Sequence, residues 1–264
     1  MIKVLFNGYM GRMGQTIAPG LDAVSDIAVI AVSDPMSKAE VWPLPNGGEA
    51  KAFNSLEAAL AACQPDVMVD FTQPTALEAS LRIALPAGID CVVGTTGVAQ
   101  EKMEELAKLA PRGTCLFYAP NFAIGAVLMM LFARQAAPYF SDVEVIEFHH
   151  NGKLDAPSGT AMTTARQMAA VRYAAGVEST SPGRESELEG FAGARGTDVD
   201  GIPVHAVRGA GFVASQEVIL ASAGETLSIR HDNTDRAAYL PGILLAVRKV
   251  GGLNGLVVGL ESLL

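Results

Sequence analysis

The first fourteen residues constrain the fold more than any other stretch. An apolar run at 2–6 leads straight into Gly8-Tyr9-Met10-Gly11-Arg12-Met13-Gly14, and helical periodicity then continues over 12–21 despite Pro19. A strand, a glycine-rich turn and a helix in that order open a parallel sheet. The pattern repeats, with short apolar runs at 28–32, 67–71, 91–93 and 115–118 alternating with helical stretches at 55–62, 75–85 and 100–109. Buried strands alternating with helices of this length predict a doubly wound α/β unit covered on both faces. The glycines have a physical purpose in that setting. They allow a tight turn, close approach of the backbone to a pyrophosphate, and tight packing of helix on strand, with the helix-start amides aimed at the anion. The spacing is GxxGxxG rather than GxGxxG, so its weight comes from its place after the first strand.

The second strand ends in Ser33-Asp34. A carboxylate there accepts hydrogen bonds from both ribose hydroxyls of a dinucleotide and repels an added 2′-phosphate. The plainer reading is that Asp34, just before Pro35, only starts a turn. Arg12 reaches either over an adenine or to a ribose phosphate.

After Pro120 the pattern changes. A long apolar helix at 123–137 leads to a strand at 143–148, a polar loop and a helix at 158–175. Residues 176–201 read as a long surface loop. Strand-like runs at 203–207, 211–221 and 225–231, with a turn at Ala223-Gly224, predict an antiparallel meander. A helical tail at 236–250 stops at Gly251-Gly252. The expected division is 1–121 as a dinucleotide-binding domain, with 236–264 returning to it, and 122–235 as a second, α+β domain.

The polar loop holds the richest chemistry. His149 and His150 are two of four histidines in the chain, and Lys153 follows at a four-residue step. A histidine supplies a proton near neutral pH, and the lysine adds a fixed positive charge or a second acid. Ser158-Gly159-Thr160 then opens a helix, with Ser158 as N-cap and Gly159 leaving room for a carboxylate near free amides. Taken singly, the histidine pair reads as a surface feature and Ser-Gly-Thr as an ordinary cap. Together they describe a site for an anionic substrate. No ligand set of zinc-like spacing surrounds the histidines, so no metal is expected. His205 and His231 fall in the later strands and read as structural.

Composition excludes other classes. Half of the 264 residues are apolar, which rules out disorder, and a net charge of −9 offers no positive field for nucleic acid. The three cysteines suit a reducing compartment. The longest apolar run, 122–133, is shorter than the ~20 residues of a membrane helix. No cationic leader precedes the first strand, and the expectation is a cytoplasmic protein without nucleic-acid or membrane partners.

Gly8–Gly14, Asp70-Phe71-Thr72, Gly94-Thr95-Thr96-Gly97 and Ala119-Pro120-Asn121-Phe122, and above all the HHxxKxDAPSGTA segment from His149 to Ala161, form a set of motifs. On these residues the chain resembles the 4-hydroxy-tetrahydrodipicolinate reductase family over nearly its whole length. The resemblance implies a Rossmann-like doubly wound sheet plus an α+β substrate-binding and oligomerisation domain with a mixed or antiparallel sheet. It also implies a homotetramer and reduction of a cyclic dicarboxylate hydroxy-imine by a reduced nicotinamide. His149 becomes the general acid and Lys153 a second proton donor. His150, Lys153, Gly159 and Thr160 become the carboxylate ligands. Gly8, Tyr9, Met10, Gly11, Arg12, Met13, Asp34, Gly94, Thr95, Thr96, Ala119, Pro120, Asn121 and Phe122 become the cofactor residues. Pro35 and Gln73 stand where many bacterial members carry arginines that favour NADP, so NADH is expected to be preferred, with NADPH as the alternative. Gly152 replaces a common histidine, and Gly190–Arg195 partly matches a glycine-rich family segment in which Arg195 could steer an anion. Two other readings compete: a different two-domain dehydrogenase acting on a small carboxylate, and a silent dinucleotide sensor, which would have lost the proton donors.

Overall fold

The structure, a computed structural model, describes residues 1–177 and 193–264. They divide into two compact units, Met1–Ile124 with Arg236–Leu264, and Gly125–Asp235.

The first unit is built on an eight-stranded sheet. Its elements are β1 (Ile2–Asn7), α1 (Arg12–Asp22), β2 (Ile27–Ser33), β3 (Val41–Pro43), β4 (Glu49–Phe53), α2 (Leu56–Ala62), β5 (Val67–Asp70), α3 (Pro74–Ala84), β6 (Asp90–Val93), α4 (Gln100–Ala107) and β7 (Cys115–Tyr118). The second unit follows with α5 (Ile124–Ala136), β8 (Asp142–His149), α6 (Gly159–Ala174), β9 (Thr197–Val199), β10 (Ile202–Arg208), β11 (Ala214–Ser222) and β12 (Glu225–Asn233). The chain then re-enters the first unit as α7 (Leu240–Lys249) and β13 (Gly255–Val258).

In the first sheet the order is β13-β7-β6-β5-β1-β2-β4-β3, and only the β3–β4 pair is antiparallel. The strands are apolar on both faces because helices cover both. Leu5, Met68, Val93 and Leu116 pack against Leu77, Leu81, Met103 and Leu106 in one buried cluster. The chain runs outward from β1 through β2 and β4, and β5 then pairs with the other side of β1. That reversal opens a crevice at the carboxyl ends of β1 and β5, where such sheets bind ligands. Sequence periodicity passes over β3, β4 and β13. The first two are half exposed and carry charged or proline residues, and Gly255-Leu256-Val257-Val258 is only four residues long.

In the second sheet the order is β12-β11-β8-β10-β9. The expected meander is corrected here: β10 pairs parallel with β8 and antiparallel with β9, and β8 stands between β10 and β11. The cause is α6, which carries the chain from β8 back to a parallel neighbour in a strand–helix–strand crossover. Among the described residues of this sheet the hairpins are β11 with β12 and the short β9 with β10. The expected 176–201 loop is also shortened at its end, where 197–199 form β9. Residues 178–192 of that loop, including Gly190, Phe191 and Ala192, lie outside the described residues. The helical tail is likewise divided, a 3-10 turn at Arg236–Tyr239 preceding α7.

One face of this sheet is covered. Val143, Val145, Val218 and Leu220 are buried against Ala161, Ala165 and Met168 of α6. Arg172, also on α6 and buried, donates to the carbonyls of Ala137, Phe140 and Ser141 and so closes the end of α5. On the opposite face Ile146, Phe148 and Ile219 remain partly exposed. Among the described residues no helix is long and apolar enough to cross a membrane.

Candidate active site

The predicted cofactor residues gather at one place in the first unit, the carboxyl edge of its parallel strands. Gly8 to Met13 follow β1, Asp34 follows β2, Gly94 to Thr96 follow β6, and Ala119 to Phe122 follow β7. Gly8 has φ +85°, and a side chain there would lie 2.6 Å from the Phe71 carbonyl oxygen. At Gly14 a Cβ would stand 2.5 Å from the Gly8 carbonyl oxygen, so only glycine lets α1 start this close to the loop. Among the described residues no side chain caps α1, which leaves its first amides open to an anion. The loop and helix start therefore fit a dinucleotide pyrophosphate.

Asp34 lies beside this loop. Its carboxylate accepts from the amides of Met36 at 2.9 Å and Met10 at 3.3 Å, which holds it at the mouth of the glycine turn. Met10, Arg12, Thr96 and Pro120 are exposed at the edge, whereas the side chains of Tyr9, Thr95, Ala119 and Phe122 turn into the core. The Tyr9 hydroxyl meets Ser37 at 2.8 Å and its ring meets Trp42 edge-on. At the edge, these four buried residues offer backbone only.

Beneath the edge is a buried polar network that sequence reading did not find. Asp70, fully buried, accepts from Thr95 Oγ1 at 2.7 Å, Thr72 Oγ1 at 2.8 Å, Thr72 N at 3.1 Å and Asn7 Nδ2 at 2.8 Å. Asn7 in turn accepts from Ser33 Oγ at 2.6 Å. The ends of β1, β2, β5 and the loop after β6 are thereby joined. Phe71 stacks on Phe6 and tilts against Phe122, and a Cβ at Gly94 would overlap its ring. This explains the Asp-Phe-Thr triplet in physical terms.

The second unit holds the histidine segment. His149 is the last residue of β8, and its Nδ1 lies 2.5 Å from Glu147 Oε2. Glu147 has no exposed surface, yet it carries a charge, because Arg208 on β10 grips both its oxygens at 2.8 Å. The Ser158 amide donates to Glu147 Oε1 at 3.1 Å, and Arg208 also donates to the Asp155 carbonyl at 2.9 Å. One carboxylate thus joins strand, neighbouring strand and helix start. Burial pushes the Glu147 carboxyl up, but the bonds from Arg208 and His149 outweigh it and hold its pKa below the usual range. His149 is also held below an ordinary imidazole, chiefly by burial, with Glu147 pulling the other way.

At α6 the Ser158 hydroxyl accepts from the Ala161 amide at 3.2 Å and so fills the cap. That leaves the amides of Gly159 and Thr160 without a side-chain cap, and among the described residues nothing beyond its chain neighbours and its own helix backbone lies within 4 Å of a Cβ built at Gly159. The open space faces a helix start of sixteen residues. Lys153 pairs with Asp155 at 2.9 Å, and its amide donates to the His150 carbonyl in a tight turn. Gly152 lies under His150, where a Cβ would be 3.2 Å from the ring Nδ1. The structure therefore brings His149, Ser158 and the α6 start together through Glu147, with His150 and Lys153 in the connecting turn. His205 bonds Glu144 at 2.8 Å, and Arg195 reaches the same carboxylate at 3.5 Å. Among the described residues no cluster of three metal-ligating side chains occurs.

Sequence reasoning missed Glu147 and Arg208. The signal was present: Glu147 is two residues before His149, on the same face of the strand as buried Val143 and Val145, where a carboxylate requires a partner.

A glycine-looped parallel sheet in one unit, with a strand-end histidine and an open helix start in the other, defines the class of two-domain nicotinamide-dependent oxidoreductases. Comparison with known proteins narrows the class. Residues 2–122 match the family described as dihydrodipicolinate reductase, N-terminus, and residues 125–264 match dihydrodipicolinate reductase, C-terminus. The chain is 44% identical to the 4-hydroxy-tetrahydrodipicolinate reductase of Enterococcus faecalis over the full length of both. It is also 44% identical to that of Mycolicibacterium vanbaalenii, over 97% of this chain and 96% of the relative. A dipicolinate-bound dihydrodipicolinate reductase from Paenisporosarcina sp. TG-14 superposes over all of both chains with a TM-score of 0.86 and 37% identity. The chain belongs to the dihydrodipicolinate reductase family.

Proposed function

We propose that this chain reduces 4-hydroxy-tetrahydrodipicolinate to tetrahydrodipicolinate, with loss of water, in lysine and diaminopimelate synthesis. The observation that carries the reading is the coupling of His149 to the open α6 start through Glu147. A proton donor and an anion site are held at fixed separation, as an acidic ring substrate requires. A reduced nicotinamide, bound at the glycine loop, supplies hydride to the ring. The chain's own residues do the rest. The amides of Gly159 and Thr160, the His150 ring and the Lys153 ammonium bind the two carboxylates, drawing electron density from the ring. With Nδ1 committed to Glu147, Nε2 of His149 is the nitrogen left to deliver a proton. A dianionic ring beside it favours the charged imidazole, so substrate binding itself loads the donor. Lys153 is the second donor.

NADH preference over NADPH belongs to the same proposal. It rests on Asp34 at the mouth of the loop and on Pro35 and Gln73 in place of cations. A homotetramer formed through the partly exposed sheet face of Ile146, Phe148 and Ile219, and a cytoplasmic location, are also part of the proposal.

The test is direct. Purified protein is given the substrate with NADH or NADPH, and loss of nicotinamide absorbance is followed. The expected result is turnover with both and a higher kcat/KM for NADH, with light scattering reporting four chains. No turnover with either refutes the reaction, and a clear NADPH advantage refutes the cofactor assignment alone.

A further inference from the structure

Glu147 and Arg208 touch no part of a bound ring in the reading above, yet they make the most heavily bonded charged pair among the described residues of the second unit. We infer that they are positioning residues, which fix the tautomer of His149 and tie its ring to the anion-binding start of α6. The inference rests on the functional reading of His149 as the acid.

The geometry leaves little freedom. Glu147 has two oxygens and four donors. Oε2 takes His149 Nδ1 and Arg208 Nη1, and Oε1 takes the Ser158 amide and Arg208 Nη2. Three of those donors, the two guanidinium nitrogens and the amide, have fixed protons. The imidazole is the one partner that can change. Facing a carboxylate, its Nδ1 carries the proton in the neutral form, and Nε2 is left as the working nitrogen. The charged groups around His149 are few among the described residues: Glu147 on its own strand, Arg208 from β10, and Lys153 with Asp155 from the turn before α6, while β11 opposes it with Ala214. Arg208 therefore does two things. It cancels much of the charge of Glu147, so that the imidazole does not become permanently protonated, and its planar fork prevents the carboxylate from turning. Through Ser158 the same carboxylate sets where the α6 amides stand relative to the ring.

Glu147→Gln separates this role from simple support. An amide has one acceptor and one donor end. The Oε1 position faces two donors that cannot accept, Ser158 N and Arg208 Nη2, so the amide NH2 must take the Oε2 position, where it loses the Arg208 Nη1 bond and faces His149, and the neutral ring must move its proton to Nε2. The charged imidazole, which needs both nitrogens to donate, becomes harder to form.

The experiment records 15N imidazole shifts of His149 across pH in the native enzyme and in E147Q, beside kcat and KM profiles. The expected result is an Nδ1–H tautomer in the native enzyme and Nε2–H in E147Q. The alkaline limb of kcat/KM should move to lower pH, with kcat down roughly tenfold or more and dinucleotide Kd within about twofold, since the glycine loop is untouched. An unchanged tautomer and titration in E147Q overturn the inference even if the variant is less stable. Should E147Q not fold, Glu147→Asp, which keeps the charge but withdraws the oxygens by one methylene, must show the same loss of kcat with the limb displaced, and an unmoved limb overturns it. His149→Gln separates the two layers. Undiminished turnover in that variant refutes the functional reading of His149, whereas a tautomer shift absent from E147Q refutes only the positioning role.

Discussion

Asp70→Asn probes the support beneath the cofactor edge. In the native protein Oδ1 accepts three hydrogen bonds, from Thr72 N, Thr72 Oγ1 and Thr95 Oγ1, and Oδ2 accepts one from Asn7 Nδ2. Asparagine keeps the first three by presenting its oxygen to them. Its NH2 then faces the NH2 of Asn7, donor against donor. Asn7 cannot simply rotate, because its oxygen already accepts from Ser33 and its nitrogen also donates to Ser80. One buried bond is lost and two donors are left without an acceptor, for which ~1–3 kcal/mol is typical. Burial raises the Asp70 pKa, so removing the charge relieves part of a desolvation penalty and places the result near the middle of that range. About 2 kcal/mol in a chain of this size lowers Tm by roughly 4–8 °C. Asp70→Leu, which abandons all four donors, should cost clearly more. Differential scanning calorimetry of the three proteins at pH 7, with NADH affinity by fluorescence, checks both the size and the order. A Tm for D70N within about a degree of native, or D70L as stable as D70N, would refute the idea that hydrogen-bond satisfaction at Asp70 holds the strand ends together.

Two further outcomes follow from the geometry. Gly14→Ala drives a methyl into the Gly8 carbonyl and the Tyr9 backbone, an overpacking of ~1–3 kcal/mol, and NADH titration should show at least tenfold weaker binding; unaltered affinity would mean the loop does not hold the dinucleotide. His149 and His231 are both held below 6.5, chiefly by burial, so the folded state binds these protons less readily than the unfolded chain. Stability is then fully present above the ordinary imidazole pKa and declines as pH falls through 6.5. Tm measured at about pH 7.5 and about pH 5.5 should drop between the two, and a rise would contradict the assignment.

The repeating alternation of apolar runs and helices made the first sheet legible, because each parallel strand is buried on both faces and needs no partner to be recognised. The strands that escaped were those with exposed or charged residues, Val41–Pro43 and Glu49–Phe53, whose pairing depends on β2 rather than on their own sequence. In the second unit, spacing alone made 203–207 and 211–221 look like neighbours. The register shows β8 between them, a consequence of α6 that periodicity cannot report. The site divides in the same way. Residues proposed to bind through backbone or glycine geometry stand in contiguous motifs, which is what makes such candidates readable. Glu147, Arg208 and the Asn7–Asp70–Thr95 network act across strands, joining positions as far as 61 or 63 residues apart, and the one local mark among them is the alternation of Glu147 with buried Val143 and Val145, which gives no partner.

The charge balance leads to a last prediction. A chain of net charge −9 must attract a dicarboxylate and an anionic dinucleotide, and long-range repulsion is screened beyond about 8–10 Å at physiological salt. Attraction therefore has to come from groups within contact range. Lys153 is the side chain proposed for this, and its ammonium is held by Asp155 at 2.9 Å. The Asp155 side chain is 60% exposed, and a pair this wet is worth little. A carboxylate bound at the α6 start, where two amides already point outward, competes well for the same ammonium. Lys153→Ala should raise substrate KM about tenfold or more and also lower kcat, since it removes a charge and a proton donor together. Asp155→Asn should do the reverse to binding: with its competitor neutral, Lys153 is free for the substrate, and KM should fall by a few-fold with kcat little changed. Steady-state kinetics of both variants under one buffer decide the matter. A higher KM in D155N would mean that Asp155 orients the lysine rather than competing for it, and an unchanged KM in K153A would remove Lys153 from the carboxylate site.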